Sequence, residues 1–143
     1  MRADVFDEAK RSSIMRAVKS ADTKPELLVR AAVRALGHAR RYRLGGRGLP
    51  GKPDLVFSAQ RKAIFVHGCF WHGHDCKRGA RAPKDNADYW RAKIARNRAR
   101  DKASLAALKA DRWRSLVIWE CETHDTARLA KRLARFLRPR SDP

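Results

Sequence analysis

The residues best suited to chemistry lie between positions 66 and 76, where the sequence reads VHGCFWHGHDC. Cysteine thiolates and histidine imidazoles are the ligands that zinc prefers in proteins, usually in tetrahedral sets of four. Cys69, His74 and Cys76 fall within eight residues, and Cys121 is the third cysteine of the chain. Together they form a candidate structural zinc site, although their spacing matches no common zinc finger. The alternative is that one or two of these cysteines are buried core residues.

A second candidate site combines a carboxylate with histidines. Asp54 follows Pro53 after a bend rich in glycine and proline, and a carboxylate there can face a cleft and bind magnesium, which prefers oxygen ligands. Imidazoles titrate near neutral pH, so His67 and His72 are candidates for proton transfer. The alternative for Asp54 is a simple turn residue. Glu26 is a further acidic residue, and the alternative to a role in such a site is that it only caps a helix.

The chain is strongly basic. Its 143 residues include 34 Lys and Arg against 15 Asp and Glu, which gives a formal net charge of +19. Because 43% of the residues are hydrophobic, this charge belongs to a folded protein and not to a disordered tail. We therefore predict a protein that binds DNA or RNA. A basic protein of the ribosome or of a membrane surface is the alternative.

The sequence predicts neither a membrane span nor a secretory signal. No apolar run approaches the roughly 18 residues that a span requires, and the first residues lack an apolar stretch. The odd number of cysteines, three, argues against a disulfide framework and favours metal binding in a reducing compartment. We expect a cytoplasmic protein with no membrane partner.

The pattern of helix and turn signals predicts one α/β domain spanning residues 1–143. Residues 23–26 (TKPE) have the form of a capping box, which predicts a helix that ends at Gly37. Three strands are predicted at 42–44, 54–57 and 63–66. A helix over about 88–109 follows them and carries Trp90, Ile94, Leu105 and Leu108. The last two predicted elements are a strand at 116–119 and a helix that begins after Thr123 and ends at Pro139. This order predicts a mixed central sheet flanked by helices.

Two neighbouring aromatic side chains offer a stacking surface for bases. Phe70 and Trp71 lie beside Gly68 and between candidate ligands, which favours exposure over the alternative of core positions. Unstacking beside a weakly held base pair costs less than elsewhere, so side chains that enter the stack gain selectivity. Phosphate contacts are predicted for a basic loop and for the long helix, through Lys77, Arg78, Arg81, Arg91, Lys93, Arg96, Arg98 and Arg100, although many of these could be solvated surface charges.

Two resemblances follow from these motifs. Pro53-Asp54 followed by a hairpin strand resembles the core of the PD-(D/E)xK nucleases, but residues 66–68 read Val-His-Gly where an acid and a lysine would stand. The chain more specifically resembles the very short patch repair (Vsr) DNA mismatch endonucleases. The matching motifs run from about residue 10 to residue 122: RSSIM at 11–15, DTKPE at 22–26, GLPGKPD at 48–54, the segment 66–76, Tyr89-Trp90 with Lys93 and Asn97, and WECE at 119–122.

The resemblance to the Vsr family implies a role for each matching residue. Asp54 and the backbone carbonyl of Val66 are implied to ligate a catalytic magnesium ion, with Glu26 acting through the water shell of that ion. His72 is implied to be the general base, and His67 to assist the phosphate or the leaving group. The implied zinc ligands are Cys69, His74, Cys76 and Cys121, and the implied DNA-contacting residues are Met15, Phe70, Trp71, Lys93 and Asn97.

The implied function is a strand-specific DNA endonuclease. Such an enzyme nicks 5′ to the thymine of a T:G mismatch, which arises when 5-methylcytosine deaminates, and initiates very short patch repair. The resemblance also implies a monomer in the bacterial nucleoid that contacts mismatch-repair proteins and a repair DNA polymerase. We expect a flexible, DNA-contacting segment over about residues 1–20 and a disordered tail over about 138–143. The alternative is a non-catalytic, zinc-stabilised DNA-binding module.

Overall fold

The computed structural model of the protein describes residues 23–38, 41–46, 48–76 and 86–138. The predictions for about residues 1–20, including Met15, for the basic loop with Lys77, Arg78 and Arg81, and for the tail over about 138–143 beyond its first residue fall outside the described residues. The described part contains three α-helices and four strands in the predicted order: α1 (Lys24–Ala35), β1 (Arg43–Leu44), β2 (Leu55–Phe57), β3 (Lys62–His67), α2 (Ala87–Ala110), β4 (Arg114–Trp119) and α3 (Thr126–Leu137). Short 3-10 turns follow β2 (Ser58–Gln60) and β4 (Glu120–His124).

The four strands form one mixed sheet in the order β1-β2-β3-β4. β1 and β3 each run antiparallel to β2, whereas β4 runs parallel to β3. The register of the parallel pair places His67 opposite Trp119, so both strands end at the same edge of the sheet. The prediction of a mixed α/β fold is confirmed.

Side chains at their first turns explain where two of the helices begin. Thr23 Oγ1 accepts a hydrogen bond from the Glu26 amide at 3.4 Å, and Pro25 occupies the first turn of α1, as the capping motif predicted. Asp125 Oδ1 accepts a hydrogen bond from the Arg128 amide at 3.0 Å and begins α3 in the same way. Both helices thereby satisfy backbone amides that would otherwise have no partner.

The hydrophobic core lies between one face of the sheet and the helices α1 and α3. Successive residues of β3 point to opposite faces, so Ile64 enters this core while Phe65 lies on the other face, close to Gly51 and to Ser104 of α2. Apart from Ile64, the core consists of Val29, Val33, Leu55, Phe57, Ile118, Leu129, Leu133, Phe136 and Leu137. The sheet is therefore covered on both faces, and the site described below lies at the edge where β3 and β4 end.

The long helix α2 forms as predicted, and none of the four apolar residues named for it is exposed. Leu108 is fully buried, whereas Trp90, Ile94 and Leu105 are half-buried. The helix packs against β4 and, through Trp90, against the loop after β3. No helix in the described part of the chain has the length and apolarity needed to cross a bilayer.

Candidate active site and metal centre

A cavity of about 490 Å³ opens where β3 and β4 end. The helices α1 and α2, the loop before β2 and the loop after β3 also contribute to its walls. The charged and titratable side chains that line it are Glu26, Lys52, Asp54, His67, His72, Arg100, Asp101 and Glu120. All four residues predicted to be catalytic therefore face one cavity.

Asp54 lies on one wall of this cavity. Its backbone amide donates to the carbonyl oxygen of Ile64 at 2.9 Å, and its Oδ2 accepts a hydrogen bond from the Val66 amide at 2.6 Å. Burial raises the pKa of Asp54 from 3.8 to about 7; the Val66 hydrogen bond opposes this rise, and the neighbouring Glu26 carboxylate adds to it. A carboxylate with such a pKa is poised to exchange its proton for a metal ion at neutral pH.

Glu26 brings a second carboxylate from α1 to the same wall. Its backbone amide forms the capping interaction with Thr23, while its side chain is 8% exposed and hydrogen-bonds Asp54. Arg30, one helical turn further on, is also 8% exposed and pairs with Glu26 Oε2 at 3.3 Å. The capping motif and the acidic site thus use the same residue, so the two alternatives for Glu26 are compatible.

Two histidines and an aspartate form the opposite wall. The rings of His67 and His72 stack in parallel, with 3.8 Å between centroids and an interplanar angle of 3°. His72 Nδ1 lies 2.6 Å from Asp101 Oδ2, while His67 Nδ1 lies 4.0 Å from the same oxygen. An ionised carboxylate can only accept hydrogen bonds, so in the neutral form of His72 the Nδ1 atom would donate to Asp101 and Nε2 would carry the lone pair that can take a proton.

The geometry of this wall suits proton transfer better than metal binding. His67, His72 and Asp101 bring potential ligand atoms within 4.8 Å of one another. However, a metal ion lies in the plane of each imidazole that binds it, and two parallel rings 3.8 Å apart cannot share such a position. Burial, followed by the neighbouring His72, lowers the pKa of His67 to about 4, and Asp101 opposes this shift. His67 is therefore neutral at physiological pH.

Asp101 was missed by the sequence analysis. It lies on α2, and residues 93, 97 and 101 share one helix face because they are four residues apart. Lys93 and Asn97 were singled out and the next polar residue at that spacing is Asp101, so the helical period alone could have identified it.

The predicted zinc ligands converge just beyond the ends of β3 and β4. Since His67 is paired with Trp119, Cys69 and Cys121, each two residues further on, arrive side by side. The potential ligand atoms of Cys69, His74, Cys76 and Cys121 all lie within 4.8 Å of one another. Cys121 Sγ lies 3.6 Å from His74 Nδ1, a separation that tetrahedral zinc with bonds of about 2.0–2.3 Å requires.

The thiols of this cluster also have the chemistry of a metal site. Cys69 is fully buried, and burial raises its pKa to about 12, while the Cys121 amide, which donates to Cys69 Sγ at 3.3 Å, opposes the rise. The pKa of Cys121 is raised by burial as well. A bound cation would be needed to hold these sulfurs as thiolates at neutral pH. The four residues therefore fit a closed metal centre.

The backbone between Cys69 and His74 turns tightly and is not extended. The amides of His72 and His74 donate to the carbonyl oxygens of Gly68 and Cys69 at 3.2 and 2.9 Å. Within this turn His72 faces Asp101, while His74, two residues further on, lies in the cysteine cluster.

The predicted aromatic pair belongs to a larger aromatic group. Phe70 and Trp71 are half-buried and contact each other edge to face at 5.1 Å between centroids, and Trp90 of α2 contacts both at 5.7 and 5.4 Å. Lys93 Nζ lies 5.9 Å from the centroid of the Trp71 ring, and Asn97 Nδ2 donates to the Trp71 carbonyl oxygen at 2.8 Å. Lys93 and Asn97 thus contact the aromatic loop, and Trp90 extends the aromatic surface of Phe70 and Trp71.

The arginines of α2 that were predicted to contact phosphate are all exposed, namely Arg91, Arg96, Arg98 and Arg100, and Arg100 also lines the cavity. Lys77, Arg78 and Arg81 lie outside the described residues.

The sequence of this chain is similar to those of known enzymes. The profile of the family described as "DNA mismatch endonuclease Vsr" matches residues 3–78. The type II nicking enzyme V.XorIIP of Xanthomonas oryzae is 46% identical over 136 residues, which are 95% of this chain and 98% of that protein. The type II nicking enzyme V.NmeAIP of Neisseria meningitidis is 40% identical over 139 residues, 97% of each chain. The DNA mismatch endonuclease Vsr of Escherichia coli is 40% identical over 119 residues, 83% of this chain and 74% of that protein.

Proposed function

Because the chain belongs to the Vsr family of DNA mismatch endonucleases, we propose that it is a magnesium-dependent nickase for T:G mismatches. It hydrolyses the phosphodiester 5′ to the mismatched thymine, leaves a 5′-phosphate and so initiates very short patch repair of deaminated 5-methylcytosine. The observation that carries this proposal is the cavity in which a carboxylate pair faces an imidazole–carboxylate pair. This arrangement provides a metal site and a base on opposite sides of one space.

Asp54 and the Val66 backbone carbonyl would hold the magnesium ion, with Glu26 reaching it through water. The bound ion would polarise the scissile phosphate and stabilise the charge that develops on it. Asp54 is suited to this because burial and the neighbouring Glu26 carboxylate raise its pKa, and a cation beside it would stabilise its ionised form. We propose that the site corresponds to that of the PD-(D/E)xK nucleases, with histidines in place of the missing acid and lysine.

His72 would act as the general base. Asp101 fixes the His72 ring with Nδ1 protonated, so the free Nε2 can take a proton from the attacking water. His67 stacks against His72 and is neutral, so it can donate a hydrogen bond to the phosphate or to the leaving oxygen without adding a charge beside the protonated base. Each imidazole therefore has a separate task.

Magnesium and protons should compete for Asp54. Because its pKa is about 7 in the metal-free protein, nicking at limiting magnesium should fall as the pH drops below 7. Raising the magnesium concentration tenfold should move the midpoint of this fall to lower pH by up to about one unit. The measurement is the single-turnover nicking rate from pH 5 to 9 at several magnesium concentrations. A midpoint that does not respond to magnesium would contradict the role of Asp54 as a ligand.

Zinc would close the cluster of Cys69, His74, Cys76 and Cys121 and tie the loop after β3 to the end of β4. A set of four protein ligands leaves no open position for substrate, so this ion would be structural. We infer that the protein holds one zinc ion in this way.

Cys121→Ser should therefore lower both zinc content and stability. A serine hydroxyl is a poor zinc ligand, so we expect loss of most of the bound zinc and a destabilisation of about 2–5 kcal/mol, as for the loss of other structural cross-links. Zinc measured by atomic absorption and thermal unfolding check this. A variant that keeps one equivalent of zinc would show that Cys121 is not a ligand.

The aromatic surface formed by Phe70 and Trp71 would probe the base stack beside the mismatch, with Met15 assisting from the N-terminal segment. A T:G wobble is held less firmly than a matched pair, so opening the step beside it costs less. Lys93 and Asn97 would support this loop or contact DNA beside it. Mismatch-repair proteins and a repair DNA polymerase would act with the enzyme, which we expect to work as a monomer in the bacterial nucleoid.

A non-catalytic, zinc-stabilised DNA-binding module is the competing function. A supercoiled plasmid that carries one T:G pair distinguishes the two. We expect the purified protein to convert it to the open circular form only when magnesium is present. Tight binding without conversion at any magnesium concentration would favour the binding module.

A further inference from the structure

The cavity is acidic for a space that must accept a phosphate. Four of the side chains that line it are carboxylates: Glu26, Asp54, Asp101 and Glu120. A phosphodiester carries a negative charge, so its approach to these groups is opposed unless cations lie nearby. Among the described lining residues the permanent cations are Lys52 and Arg100. One magnesium ion would offset part of this negative charge. A fixed cation at the rim of the cavity would offset more of it.

Lys52 is held in an unusual backbone conformation at this rim. Its φ is +49°, in the left-handed region that side chains bearing a Cβ rarely adopt, and it follows Gly51, whose φ is +76°. Such conformations persist where the surrounding structure enforces them, and they occur often at functional sites. The strained conformation of Lys52 therefore points to a role for its side chain at the rim of the cavity.

The loop that carries Lys52 is fixed at both ends. At Gly51 an added Cβ would lie only 2.8 Å from Ser104 Cβ of α2 and 3.0 Å from Phe65 Cε1, so the backbone packs closely against both. After it, the Pro53 carbonyl oxygen accepts a hydrogen bond from the Gly46 amide at 2.9 Å, and Asp54 joins β3. Lys52 therefore has a defined position relative to Asp54.

We propose that Lys52 is a further catalytic residue, whose ammonium group binds a non-bridging oxygen of the scissile phosphate. Two residues of chain span at most about 7 Å, so Lys52 and the metal ligand Asp54 can address the same phosphate group from one loop. Arg100 lies on α2, the helix that carries Asp101, and not on the loop that holds the metal ligand Asp54. The proposal rests on the proposed nicking function.

The test compares Lys52→Met with Lys52→Arg and with a matched control, Arg112→Met. Arg112 is also an exposed cation with a positive φ, +63°, but it lies just before β4, at the opposite end of the strand from the cavity. We expect Lys52→Met to slow single-turnover nicking of a T:G duplex by about 10²-fold, as for other groups that stabilise transition-state charge. Lys52→Arg should stay within about tenfold of the parent, and Arg112→Met within about twofold.

A duplex with an uncharged methylphosphonate at the scissile position locates the contact. In the absence of magnesium, this replacement should weaken binding by the parent protein and by Arg112→Met, but should have little effect on binding by Lys52→Met. An equal effect on all three proteins would overturn the proposal, as would a Lys52→Met variant that nicks at the parental rate. If the parent protein itself fails to nick a T:G duplex, the proposed function and this proposal both fall.

Discussion

Asp54→Asn is expected to reduce nicking of a T:G duplex by at least about 10³-fold while leaving zinc content unchanged. The amide cannot supply the negative charge that a magnesium ligand needs, but it keeps the shape of the side chain and can still accept the Val66 hydrogen bond. Single-turnover nicking at saturating magnesium and zinc analysis are the measurements. Asp88→Asn is the matched control, since Asp88 is a fully exposed aspartate in the first turn of α2. Loss of zinc from the Asp54 variant would contradict the separation of the two metal sites.

The same variant should be more stable than the parent protein at pH 8 without magnesium. The pKa of Asp54 is about 7 in the folded protein against 3.8 ordinarily, so the folded state holds this proton more tightly than the unfolded state. Its ionisation therefore costs stability progressively between about pH 4 and pH 7, and in full above that range. Asparagine removes this cost, and a gain of about 1 kcal/mol would raise the melting temperature by roughly 3–5 °C. A lower melting temperature at pH 8 would contradict the burial of an uncompensated carboxylate.

The second large effect is expected at His72 and Asp101. His72→Ala should slow nicking by about 10²–10⁴-fold because it removes the general base. Asp101→Asn should also slow nicking strongly, because an amide can donate a hydrogen bond to Nδ1 and so favour the wrong tautomer of His72. Since the two residues form one hydrogen-bonded unit at 2.6 Å, the double variant should be scarcely slower than His72→Ala alone.

Single-turnover rates of the two single variants and of the double variant check this prediction. Binding of an uncut T:G duplex serves as the control, since neither residue is assigned to the aromatic surface. Multiplicative effects of the two substitutions would indicate that Asp101 acts independently of His72.

The secondary structure was largely predictable because its signals are local. The capping residues of α1 and the short apolar runs of β2, β3 and β4 fix where these elements lie to within one or two residues. The cluster of candidate metal ligands was predictable for a different reason, since three cysteines and a histidine close to two of them are typical of a metal site. Their convergence additionally depends on the parallel register of β3 and β4, which composition does not reveal.

What could not be predicted depends on contacts between distant segments. Asp101 lies 29 residues beyond its partner His72, and the contact between Trp90 and Trp71 likewise joins α2 to the loop after β3. The raised pKa of Asp54 likewise arises from burial and from Glu26 of α1. Such effects follow from tertiary packing, about which short sequence motifs carry no information.

The segment from Val66 to Cys76 combines three tasks in one short loop. It carries candidate zinc ligands, the candidate base His72 and the aromatic pair Phe70-Trp71. Because Phe70 and Trp71 lie within the hydrogen-bonded turn that leads to His72, a displacement of the aromatic side chains by DNA would shift His72 as well. This arrangement would couple contact with a mismatch to cutting beside it.

The most direct test of this account is single-turnover cleavage of two end-labelled duplexes that differ only in one pair, T:G against T:A. With magnesium, we expect one nick, in the thymine strand, immediately 5′ to the mismatched thymine, and at least about 10²-fold slower cutting of the T:A duplex. Equal cutting of both duplexes, or cutting of both strands, would contradict a strand-specific mismatch nickase.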